Sequence, residues 1–102
     1  MNTIANYINA FSNHNQTPQL ACQDGFKMSV QVSNGHYCSP RKDFEDAQNY
    51  YQMEVGFPTQ SEPLLLDYAE DRDKPTETVY GYVPVEIINK VITKHGGLKK
   101  PY

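Results

Sequence analysis

The chain has 102 residues, which is room for one domain with a single core and no second domain. Nine Lys and Arg against twelve Asp and Glu leave a formal charge of -3, which argues against binding a phosphate backbone, since that rests on clustered cations. No stretch approaches the roughly 20 apolar residues of a membrane-spanning helix, and Met1 opens no signal-like segment, so a protein made in a cytoplasm is expected.

Ile4, Tyr7, Ile8 and Phe11 follow a helical stripe, with Asn2 or Thr3 available as cap, and predict an amphipathic helix over residues 3–13. Ser12 to Pro18 is rich in turn formers and reads as a loop. Gln19 to Cys22 reads as a short strand, Asp24-Gly25 as a tight hairpin turn, and Phe26 to Ser33 as the partner strand. In that partner, Phe26, Met28, Val30 and Val32 alternate with Lys27, Ser29, Gln31 and Ser33, the pattern of a sheet with one covered and one wet face. Asn34-Gly35 is a second turn signal, and His36 to Cys38 a candidate third strand interrupted by Pro40.

Ser39 to Asn49 is charged and predicts an exposed loop or a partial helical turn. Alternation returns over Tyr50 to Phe57 and ends at Pro58. Leu64, Leu65 and Leu66 fit either a helical turn or a packed loop, and Asp71 to Glu77 is a charged surface connection. Thr78 to Val83 has strand composition. Pro84 opens a closing helix, 84–95, with Ile87, Ile88, Val91 and Ile92 as its apolar stripe and Gly96-Gly97 as its stop. The tail from Leu98 to Tyr102 is expected to be loose. The expectation is an α+β domain over residues 1–102, with both helices on one face of an antiparallel sheet of about four strands whose order periodicity does not fix.

For chemistry, the sharpest cluster is Cys22, His36 and Cys38, soft ligands suited to zinc, with His14, Asp24 or His95 as a fourth. The absence of any C-x-x-C pair favours two packed thiols instead, and a disulfide between Cys22 and Cys38 does not suit a reducing compartment. Cys38 with His36 or His95 is the one nucleophile and base pairing, without an orienting third group, so no catalytic residue is assigned and no cofactor is expected. The glycines are scattered at turns and make no phosphate-cradling loop. Glu62, Asp67, Glu70, Asp71, Asp73 and Glu77 could imitate a phosphate backbone, though Arg72 and Lys74 interrupt them and a solvated face accounts for them as well. Tyr80 and Tyr82 alternate along the last strand and, at two-residue spacing, share one face. Tyrosine concentrates at interface hot spots.

Ala21-Cys22-Gln23-Asp24-Gly25-Phe26-Lys27-Met28-Ser29-Val30-Gln31, His36-Tyr37-Cys38-Ser39-Pro40-Arg41, Glu54-Val55-Gly56-Phe57-Pro58 and Thr78-Val79-Tyr80-Gly81-Tyr82-Val83-Pro84-Val85 with His95-Gly96-Gly97 resemble a family of small phage, prophage and mobile-element proteins. The similarity covers most of residues 20–97, with Lys42 to Tyr50 longer and more charged than the family's usual link. It carries over no catalytic residue and implies a non-enzymatic accessory protein that binds and inhibits a host protein, above all defence machinery such as a CRISPR effector complex. Tyr37, Arg41, Tyr80 and Tyr82 are the candidate partner-binding residues, with no nucleic acid or membrane expected and a homodimer left open. The alternative is a sponge that binds a nucleotide defence signal.

Overall fold

The structure, a computed structural model, describes residues 2–99. Helix α1 spans Thr3–Phe11, two residues shorter than the stripe suggested, because Ser12 turns extended after donating its amide to Ile8. Asn2 caps it, its side-chain oxygen accepting from the Ala5 amide. The hairpin forms between β1, Leu20–Ala21, and β2, Lys27–Gln31. Strands β3, Gln52–Gly56, and β4, Val79–Pro84, complete the sheet, and helix α2, Val85–Lys94, closes the chain.

The result is an α+β fold in which the sheet runs β1-β2-β3-β4, antiparallel throughout and without crossovers. Met28, Val30, Met53, Val55, Tyr80 and Val83 point inward and share one core with Ile4 and Ile8 of α1 and Ile88, Val91 and Ile92 of α2. The start of α1 is also tied to the middle of α2: Asn89 accepts from the Ile4 amide at 2.9 Å and donates to the Asn2 cap at 3.2 Å.

Two of the expectations change. His36 to Cys38 forms no strand; only Ser39 makes a bridge, to Gln52, and the segment folds back on Ser33 instead. The 39–49 segment does end in a partial helical turn as expected, a 3-10 turn over Ala47–Asn49, with Ala47 buried against α1. Leu98 and Lys99 are not loose: Leu98 bridges Cys22 and the Lys99 amide donates to Ala21 at 2.8 Å, while residues 100–102 lie outside the described part. The trio Leu64 to Leu66 leads into a 3-10 turn, Leu66–Tyr68, with Leu65 wholly buried.

Both outer edges of the sheet are occupied. Residues 98 and 99 cover β1, while Ala69 and Glu70 cover the first half of β4 and the Tyr37 carbonyl accepts from Tyr82 in its second half. Among the described residues no helix is long and apolar enough to cross a membrane.

Candidate functional site

Opposite Met53 to Val55, strand β4 runs from Val83 to Tyr80, one residue more than its partner, so a β-bulge sits at Gly81 and Tyr82. The extra residue breaks the two-residue period. Tyr80 therefore turns inward, fully buried, with its hydroxyl donating to the Pro75 carbonyl, whereas Tyr82 turns outward at 42% exposure. Tyr80 is thus core, and the expectation that it shares a contact face with Tyr82 is corrected by the bulge.

Tyr82 adopts φ 55°, a left-handed conformation that an L-residue with a bulky side chain rarely takes. Its amide donates to the Tyr37 carbonyl at 2.9 Å, and the two rings lie 6.0 Å apart. Tyr37 comes this close because Gly81 lacks a side chain: a Cβ there would stand 3.3 Å from that of Tyr37. The Arg41 guanidinium lies 5.4 Å from the centre of the Tyr37 ring, within reach of a cation-π contact, while its Nε donates to the Asn34 carbonyl. Tyr37, Arg41 and Tyr82 thus form one exposed platform, on a loop and a bulge that are far apart in sequence.

The platform is held from beneath. Glu54, beside the bulge on β3, accepts from the Tyr37 amide at 3.1 Å. Asp43 accepts from the Asn34 amide, and Ser33 accepts from Gly35, pairs with His36 Nδ1 at 2.7 Å and takes the Cys38 thiol on its carbonyl. Loop residues 33–43 are thereby cross-linked by their own side chains, in the manner of a compact Ω-loop.

The cysteines and His36 serve packing. Both thiols are free and buried, and burial pushes their pKa values up, that of Cys22 to about 11, with Asp24 adding to it. Among the described residues no group of three or more His, Cys, Asp or Glu side chains is placed to hold a metal ion. A cleft of about 250 Å³ lies between the end of α1 and residues 44–50. Two of its polar lining groups are already engaged, since Asn9 bonds Ala47 and Asp46, and the Tyr50 hydroxyl joins Lys42 to Phe44. His14, Asn15 and Glu45 stand at its rim.

Sequence reasoning missed a charge cluster built around two buried groups, His95 and Glu62. His95, which ends α2, places Nδ1 2.6 Å from Asp24 and Nε2 2.8 Å from Glu62. Lys94 Nζ reaches the other Glu62 oxygen at 3.0 Å, and the Leu64 amide donates to the same atom. Phe26 stacks on the imidazole, ring centres 4.1 Å apart and planes within 11°. Glu62 is 1% exposed, so it belongs to the interior and not to a solvated acidic face. Burial opposes charge on His95, but its hydrogen bonds to Asp24 and Glu62 outweigh that and raise its pKa. Burial likewise works against an ionised Glu62, and the Leu64, Lys94 and His95 contacts outweigh it, so its pKa is lowered. No pairwise spacing could reveal this cluster, since its members come from three turns 33 and 71 residues from one another.

Comparison with family models, with characterised proteins and with solved structures finds no match.

Proposed function

We propose that the chain is a non-enzymatic binding protein that docks onto and inhibits another protein through Tyr37, Arg41 and Tyr82. The observation that carries this reading is Tyr82 itself, a large aromatic residue held on strained backbone with its ring turned to solvent. Strain of this kind costs on the order of 1–3 kcal/mol, and such residues cluster at functional sites. Two tyrosines and an arginine on a cross-braced support are the residue types that dominate interface hot spots. Because both sheet edges are covered, docking uses side chains and not an added strand. The His95 cluster supports the non-enzymatic reading: both ring nitrogens are engaged by carboxylates, and burial together with the Asp24 charge holds the Cys22 thiol protonated.

The partner class follows from the resemblance, a bacterial defence component such as a CRISPR effector complex. The test is recovery of the tagged chain from lysate of a bacterial host, with bound proteins and small molecules identified by mass spectrometry and the target's activity assayed. A stoichiometric defence complex, inhibited by the wild type and released by Arg41→Glu and Tyr82→Gly, is the expected result. A partner that both variants retain sinks the platform. The cleft beside α1 favours a second reading, the small-ligand sponge, and a nucleotide released from the purified protein on heating would put that reading first.

A further inference from the structure

We propose that His95 is a proton-dependent clasp joining three segments, and that the hairpin turn at Asp24 is the arm it releases when the ring loses a proton. The inference is independent of the platform.

With both ring nitrogens within hydrogen-bond distance of carboxylate oxygens, only the doubly protonated imidazole donates on both sides. The titratable groups in contact with the ring are Asp24 of the hairpin turn and Glu62; behind them, Lys94 of α2 pairs with Glu62 and the Cys22 thiol interacts with Asp24. Phe26 covers one face of the ring, a position that favours the cation. Once a proton leaves, one nitrogen turns a lone pair toward a carboxylate, and the two arms are not equal. Glu62 is buried and, among the described residues, Nε2 is the one donor to its Oε1, so losing that contact strands a charged oxygen away from water. The Asp24 side chain is 49% exposed, and water can replace Nδ1 on its Oδ2. The remaining proton therefore stays on Nε2, and the Asp24 arm opens. The backbone of the turn stays attached through Asp24 and Gln23 amides donating to His95 and Gly97, so the change is a local loosening and not detachment.

The sign follows from the raised pKa of His95. Its contribution is fully present below the ordinary value of 6.5 and is lost as pH rises through the higher folded value. Between those two values the native state holds one proton more than the unfolded chain, so the folding constant falls about tenfold per pH unit.

The test is imidazole nitrogen NMR on the full, labelled chain across a pH series, which needs no variant. Expected are two protonated ring nitrogens at low pH, a midpoint above 6.5, and a neutral form carrying its proton on Nε2. The Phe26 amide, bonded to Asp24, should shift with the ring while the Leu64 amide, bonded to Glu62, holds still. A neutral form protonated on Nδ1, or a midpoint at or below 6.5, overturns the proposal. Denaturation at the same pH values gives the independent check, since the tenfold slope should vanish in His95→Gln. A slope that persists there belongs to another group and also overturns it.

Discussion

Tyr82 sets a contest between backbone strain and ring exposure. A left-handed conformation costs an L-residue roughly 1–2 kcal/mol, which glycine escapes, so Tyr82→Gly should leave stability unchanged or raise it by about 1 kcal/mol, the lost contact with Tyr37 offsetting part of the gain. Binding should move the other way, with partner affinity down on the order of 30-fold if the ring is a hot spot. Urea denaturation beside a binding titration separates the two, and a variant that is less stable yet binds normally would make Tyr82 a structural residue. The same residue explains why the platform was half legible in the sequence. Tyr37, Arg41 and Tyr82 stood out by type, but alternation placed Tyr80 beside Tyr82. Only the bulge, hinted at by Gly81 between two tyrosines, turns one inward and the other outward.

At the scale of elements, the end of α2 is a Schellman motif: the Gly97 amide reaches back to Ile92 and the Gly96 amide to Thr93. The hairpin turn packs onto it so tightly that a Cβ on Gly96, already at φ 90°, would stand 3.0 Å from the Gln23 Cβ. Gly96→Ala should therefore cost about 2 kcal/mol, roughly 10 °C in Tm for a domain of this size, because neither backbone nor neighbour gives way freely. Calorimetry checks it, and an unchanged Tm would mean that this junction carries little stability. Helix termini and the Asp24-Gly25 turn were readable because local chemistry dictates them: an Asn cap, a glycine pair, an Asx residue accepting from Phe26. Strand order was not, since β2 and β3 carry interchangeable alternating patterns and pairing depends on contacts the period does not encode.

Across the whole molecule, the Asp24, His95, Glu62 and Lys94 cluster joins the hairpin, the 62–65 turn and α2 through interactions of opposite pH dependence. Glu62 has a lowered pKa, so its contribution is complete above the ordinary carboxyl value of 4.5 and is lost as pH falls through the folded value. His95, raised above 6.5, loses its share on the alkaline side. Stability should accordingly peak between about 4.5 and 6.5 and fall on both flanks. Glu62→Gln dissects this profile. The amide keeps the shape and an acceptor for Lys94 or Leu64 but leaves His95 and Lys94 without their buried counter-charge, which should cost about 3 kcal/mol near pH 6. The variant should also lose most of the acid flank, because the proton that Glu62 takes up on unfolding is no longer part of the balance, and the His95 midpoint should drop. If the acid flank of Glu62→Gln stays as steep as that of the wild type, the acid sensitivity arises at other carboxylates, with Asp46, held low by the Gln48 amide and Asn9, the next to substitute.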